Sequence, residues 1–378
     1  MTVITPIRPG WVPFQRLVLD ALPNTRYGSS DDLARLSFIH SARWVIVDRL
    51  RAGGATVRPR CAHLLFESNY NGPLHAYLSA FADVLTTRMR LIWNSSYGFP
   101  NSPDDEALPL WRRLRRPIPG KAFVDYVART DLGADHYYCA YPGASTTEIL
   151  QALDIAAARA SLASDALDHE LDGVLARLRQ RPPPAPQPTA SVGDIRGHHE
   201  ALTVLTPVRP GAENDLRAVL ADLSAGAASP FASVPGTHVA RWTLVDDLPE
   251  QPGHAPDAWP RAYLLTSSTT DREAAPAELR HARLPQRLRD VVYGHCEEYA
   301  PGCDDDGFAA YLAAHRFGAQ RFFTGYPYAR LTTVLDALGG QDELLATIRR
   351  GGAEAGSAAI RPASERPSLR LIPTGVAP

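Results

Sequence analysis

Three segments of this chain occur twice, in the same order. TVITPIRPG at 2–10 returns as TVLTPVRPG at 203–211. HSARWVIVD at 40–48 returns as HVARWTLVD at 238–246, and GADHYYCAYP at 133–142 as GAQRFFTGYP at 318–327. The copies lie between 185 and 201 positions apart, well beyond the roughly 20–50-residue period of solenoids and propellers. A pair of whole domains suits that spacing, and a chain of 378 residues is long enough for two. What one copy folds into, the other must fold into as well.

Each copy reads as β-α-β-β-α-β with one additional helix before the last strand. In the first, a β-branched run at 2–8 is stopped by Pro9-Gly10. Phe14, Leu17, Val18, Ala21 and Leu22 then recur at helical spacing over 13–22. Strands follow at 38–48 and 62–69, an amphipathic helix at 74–93, a short helix at 122–128 and a strand at 136–141. Thr146 or Thr147 is placed to cap a last helix. The second copy repeats the order at 203–208, 213–222, 237–246, 262–267, 276–292, 308–314, 321–326 and 332–338.

This order is the ferredoxin-like split βαβ arrangement, so the predicted class is α+β with two ferredoxin-like repeats, at 1–155 and 200–345. A helical and Pro-rich linker at 156–199 and a disordered tail at 346–378 complete the chain. A sheet of this kind has one face bare of helices, and two such sheets laid face to face bury both. The duplication predicts an intramolecular α+β barrel with a ligand cavity between its sheets.

Composition removes several function classes. The net charge is −2 with no long basic run, which gives no footing for nucleic acid. Lys121 is the only lysine, and its IPGKAF context is not a phosphate loop. The dominance of Arg, Ala and Pro points to a GC-rich, bacterial genome. No apolar run approaches the roughly 20 residues of a membrane helix. Cys61, Cys139, Cys296 and Cys303 form no CxxC pair, as in a reduced, cytoplasmic protein. GxSxG, HExxH, GxGxxG and Walker A patterns are absent from the sequence.

The HSARWVIVD and HVARWTLVD strands, the LLFESNYNG segment and the HYYCAYP strand resemble a tandem-repeat branch of the dimeric α+β-barrel superfamily. That group holds antibiotic-biosynthesis monooxygenases, chlorite dismutase-like proteins and dye-decolourising peroxidases. The resemblance covers roughly residues 1–155 and 200–340, without the GxxDG motif of the dye-decolourising peroxidases. It implies an oxidoreductase, oxygenase- or peroxidase-like, acting on a small apolar or aromatic molecule of natural-product metabolism. It leaves both haem and cofactor-independent oxygen chemistry open, and it makes either a monomer or a homodimer natural. The alternative is a non-catalytic binding or scaffold protein for a small ligand, haem included.

Candidate residues follow from the twinned strands. Residues three apart on a strand face opposite ways. If the arginine face lines the cavity, Arg43 and Arg241 are paired cations suited to a carboxylate, a phenolate or a haem propionate. If the other face does, His40 and His238 are candidate bases or metal ligands beside Trp44 and Trp242. A third reading has this motif anchor the sheets through ion pairs with Asp48 and Asp246. Glu67 and Asn69, in a segment whose predicted counterpart is Thr266–Thr270, are candidate substrate contacts. The last strands add His136 and Tyr137 as proton carriers and Tyr141 and Tyr326 as aromatic lining. His295, near Cys296 and Cys303, is a candidate metal ligand.

Overall fold

The computed structural model describes residues 1–21, 38–101, 108–161, 197–255 and 257–358. The first half contains β1 (Thr2–Pro6), α1 (Val12–Ala21), β2 (Ile39–Val47), β3 (Leu50–Ala52), β4 (Ala55–Val57), β5 (His63–Tyr70), α2 (Leu74–Val84), α3 (Thr86–Trp93), α4 (Leu110–Arg113), α5 (Gly120–Thr130), β6 (His136–Cys139) and α6 (Thr146–Ser161). The second contains β7 (His199–Pro207), α7 (Glu213–Ala221), β8 (Thr237–Val245), β9 (Tyr263–Asp271), α8 (Ala277–His281), α9 (Gln286–Tyr293), α10 (Asp305–Ala314), β10 (Arg321–Thr324) and α11 (Leu331–Ala358).

The class is α+β. The long strands make two four-stranded antiparallel sheets, ordered β1-β5-β2-β10 and β6-β8-β9-β7. The short last strand of each half lies in the sheet of the other half. β10 pairs with β2, Arg321 opposite Trp44, and β6 pairs with β8, His136 opposite Trp242. Among the described residues no strand joins the two sheets, so the predicted barrel is not closed by hydrogen bonds.

The repeated RPG turns have a backbone cause: Gly10 and Gly211 sit at φ +82° and +87°, where a side chain would be strained. Two predicted helices are interrupted. The 74–93 helix breaks at Leu85, where the Thr86 hydroxyl donates to the Ala82 carbonyl and competes with the helical ladder. The 276–292 region is split by Pro285, which opens α9 and cannot continue a preceding helix. The β3–β4 hairpin turns on Gly53 and Gly54, both at positive φ, a two-residue turn chemistry that the sequence reading passed over. Helix α11 runs on to Ala358. The Pro-rich linker and residues 359–378 lie outside the described residues.

Strand alternation gives each sheet a helix-covered side and an inner side. Trp44, Phe66, Phe81 and Phe123 pack on the first sheet beneath its helices. Trp242, Phe231, Tyr293 and Phe308 do so on the second. A side chain of this size removes about 150–250 Å² from water, worth about 4–6 kcal/mol at ~25 cal/mol/Å². The inner sides face each other. No helix of the described residues is long and apolar enough to cross a membrane.

Candidate functional site

The inner positions change character from one end of the sheets to the other. Ile4, Val45, Val47 and Leu65 meet Leu205, Val245, Tyr263 and Leu265 in an apolar layer. Arg43 and Arg241 fill the middle. At the far end a β-bulge inserts one residue into each central strand: Ile39 pairs with Tyr70 but Ser41 with Asn69, and the same shift separates Thr237 from Val239. The extra residues are His40 and His238. A bulge re-aims a side chain that strict alternation would send to the opposite face. The arginine face thus lies between the sheets, and Trp44 and Trp242 belong to the helix-covered cores.

Glu67 is the centre of the middle layer. Its carboxylate lies 3.4 Å from Arg43 Nε and 3.6 Å from Arg241 Nε, and it accepts a 2.6 Å hydrogen bond from the Ser267 hydroxyl. All of these side chains are buried. Each guanidinium crosses to the opposite sheet. Arg43 donates to the Leu202 carbonyl at 2.6 Å and the Thr269 hydroxyl at 2.8 Å. Arg241 donates to the Met1 carbonyl, to the Thr2 hydroxyl and to Asn69 Oδ1. Burial, offset in part by Glu67, lowers the Arg43 pKa to about 10. A charge buried in this way persists because it is paired and hydrogen-bonded.

The far layer is a chain of proton donors. Asp271 accepts from His238 Nε2 at 3.0 Å. A neutral His238 then offers Nδ1 as an acceptor, and the Tyr141 hydroxyl is 3.1 Å from it. Tyr141 in turn accepts from the Tyr326 hydroxyl at 2.5 Å, and Tyr326 from His40 Nδ1 at 3.0 Å. The direction follows from the carboxylate being acceptor-only. Asp271 is also held by the Leu331 N–H at the start of α11. Burial, then the neighbouring His238, lowers His40 to about 4. Burial raises both tyrosines well above their ordinary range. Tyr141 also forms part of the wall of a cleft of about 540 Å³ between α6 and α11, with Ala144, Leu335, Leu338 and Leu345.

Two groups of side chains have metal-binding composition among the described residues: His199, His238 and Asp271, and Cys61, His254 and Asp257. The first is already saturated. His199 Nε2 is 2.7 Å from the Ala329 carbonyl and therefore carries the proton, and Nδ1 meets the Thr324 hydroxyl at 2.9 Å. Both nitrogens of His238 are engaged as well. That group is a hydrogen-bond relay.

Of the residues singled out in sequence, His40, His238, Tyr141 and Tyr326 come together in the relay, and Arg43, Arg241, Glu67 and Asn69 in the middle layer. The others lie elsewhere. His136 bonds Ser229 at 2.8 Å beside Phe231, on the helix side. Tyr137 is 44% exposed at a sheet edge, its ring beneath the Arg241 guanidinium. Trp44 stacks on Phe66, and Trp242 donates to the Tyr293 hydroxyl. His295 stands in the turn after α9, outside both metal-capable groups. Asp48 and Asp246 pair with Arg16 and Arg217 at the surface, so the anchoring of Arg43 and Arg241 runs through Glu67.

The sequence reading missed Asp271 and His199. Arg43 is opposite Glu67 and Arg241 opposite Ser267, so the counterpart of Glu67 is Ser267 and that of Asn71 is Asp271. Aligning the segments by one residue less, on Thr266, hid the carboxylate. Asn71 and Asp271 do the same local work, accepting from the backbone N–H of Thr146 and Leu331 at the helix starts. No protein-family model matches the chain, and no curated protein does.

Proposed function

We infer that the chain is an enzyme that transfers a proton through Tyr141 to or from a small apolar or aromatic molecule held in the cleft between α6 and α11. The observation that carries this is the Tyr141–His238–Asp271 series, of which Tyr141 is the member that lines the cleft. Its logic is that of any hydroxyl activated by an adjacent base that a third group orients. As Tyr141 acts, its proton passes to His238 Nδ1, and Asp271 stabilises the imidazolium. Only one half carries the carboxylate; the matching position beside His40 and Tyr326 is Asn71. The relay is therefore directional despite the twofold layout.

The narrower reading is an oxidoreductase, since a phenol beside an imidazole can lose its proton as it is oxidised. The described residues do not fit haem. Side chains fill the space between the sheets. The histidines there are engaged by Tyr326, Tyr141, Asp271, Thr324 and Ala329. We read each half as a ferredoxin-like repeat whose last strand is exchanged. The matched positions of β1 and β7, β2 and β8, and β5 and β9 support that reading.

The test is a thermal-shift screen of small aromatic and apolar molecules, followed by turnover of the binders in air. Leu335→Trp fills the cleft, and Tyr141→Phe removes only the hydroxyl. A ligand that stabilises the native chain but not Leu335→Trp, and whose turnover disappears in Tyr141→Phe with binding kept, is expected. Binding unaffected by Leu335→Trp refutes the cleft. Binding with no turnover in the native chain favours a carrier or scaffold.

A further inference from the structure

We propose that Cys61, His254 and Asp257 form a zinc site that joins the two halves of the chain and leaves a fourth coordination position open. Cys61 stands just before β5, and His254 and Asp257 lie in the connection between β8 and β9. Their ligand atoms all fall within 4.8 Å of one another, and Cys61 Sγ is 3.3 Å from His254 Nε2. Zinc bonds of about 2.3 Å to sulfur and about 2.0–2.1 Å to nitrogen put a tetrahedral S–N pair about 3.5 Å apart. The pair already stands at the spacing that a shared ion requires.

An independent observation points to a missing ligand. Asp257 has a side chain only 6% exposed, yet its Oδ2 has no hydrogen-bond partner. A buried carboxylate oxygen that accepts no hydrogen bond, with His63 Nε2 as far as 3.6 Å away, is costly, and a cation removes the cost. The other contact of this carboxylate is Oδ1 with the Ala258 N–H at 3.0 Å. A thiolate and a carboxylate together neutralise a divalent ion, which suits a half-buried place.

The surroundings are arranged for coordination. Trp259 Nε1–H points at His63 Nδ1 at 3.3 Å, so the ring proton of a neutral His63 sits on Nε2, 3.6 Å from Asp257 Oδ2. His63 thereby faces the carboxylate as an outer partner of the kind that orients metal ligands. Tyr97 packs on the His254 ring at 4.3 Å between centroids. A cavity of about 10 Å³ lined by His63, Gln251, His254 and Asp257 is the size of one water, which supplies a fourth ligand. Cysteine, histidine and carboxylate donors together favour zinc over magnesium or calcium.

Binding replaces the Cys61 S–H bond by a sulfur–metal bond and releases one proton to solvent; His254 binds through the lone pair of neutral Nε2. The site shares no residue with the Tyr141 relay, so the two readings stand or fall separately. The full chain is first dialysed against a chelator and then titrated with Co²⁺ alone. One equivalent is expected to produce a thiolate-to-cobalt charge-transfer band and to release about one proton. Zn²⁺ should then displace the cobalt and raise the melting temperature. Cys61→Ser is expected to abolish the band, and His63→Ala to weaken binding about 10–100-fold, as loss of an outer-shell partner does. A native chain with no charge-transfer band and no thermal response to Zn²⁺ overturns the proposal, whatever the variants do. So does a band that survives intact in both Cys61→Ser and His254→Ala.

Discussion

Glu67→Gln is the sharpest test of how the two sheets are held together. The substitution keeps shape and a hydrogen-bond acceptor for Ser267, and removes one negative charge. Arg43 and Arg241 then face each other with no anion, each only 2% exposed. Their remaining bonds, to Leu202, Thr203, Thr269, Thr2, Met1 and Asn69, are to neutral groups. Breaking a buried pair by removing one partner costs about 3–5 kcal/mol, and here two cations lose the same partner. A loss of about 3–5 kcal/mol is therefore expected in urea unfolding at neutral pH, followed by far-ultraviolet circular dichroism. Because the layer is buried, the loss should persist in about 0.5 M salt, where exposed pairs are screened. A companion chain with Arg43→Met, Glu67→Leu and Arg241→Met removes every charge together and should be neutral or more stable by about 1–4 kcal/mol. A Glu67→Gln loss below about 1 kcal/mol refutes the reasoning. Restoration of the loss by salt refutes it too, because the layer would then be solvated.

Other expectations follow from the same coordinates. His40 and His281 are each lowered by burial to about 4, so the unfolded chain binds their protons first as pH falls below about 6.5. Their stabilisation is full above that pH and is lost towards pH 4, about 1–2 kcal/mol for each at pH 5.5; urea unfolding at pH 7 and 5.5 should show it, and His281→Gln should flatten the slope. A Cβ at Gly325 would lie 2.7 Å from the Ile39 carbonyl oxygen, so Gly325→Ala should cost about 1–3 kcal/mol and raise hydrogen exchange along β10, with unchanged exchange counting against it. Arg16→Ala breaks only the exposed pair with Asp48 and should cost under about 1 kcal/mol by the same unfolding assay.

Much of the fold was legible because hydrophobic period and turn chemistry are local properties. The Pro9-Gly10 and Pro210-Gly211 stops, the long twinned strands and the α+β class could be read directly. Partner choice could not. Nothing in HYYC or RFFT says that each strand serves the other half, since both edges of such a sheet offer the same backbone groups. The site was half legible. Arg43, Glu67, His40 and Tyr141 were visible as residue types, but their grouping depends on bulges at His40 and His238 that shift the facing of one residue. Asp271 stayed hidden because the β5 and β9 copies are offset by 200 positions while the β2 and β8 copies are offset by 198. The Cys61, His254 and Asp257 group draws on the two corresponding connections, β2 to β5 and β8 to β9, whose sequences have diverged, so repetition gives no signal there.

The exchanged last strands also govern the order in which the molecule can be finished. β2 leaves the ribosome early, yet its edge partner is β10, with Thr324 opposite Ser41. At about 5–20 residues per second, synthesis of the intervening chain takes roughly 15–55 s, and for that time the β2 edge has unpaired amides and carbonyls. An edge in that state pairs with whatever strand arrives first. During synthesis the nearest suitable strand is the one still to come on the same chain. In concentrated refolding it is the β10 of a neighbour, and the product is an exchanged dimer with the same contacts as the monomer. Dilution should thus decide between the two forms, and a nascent chain tethered to its ribosome should give the monomer.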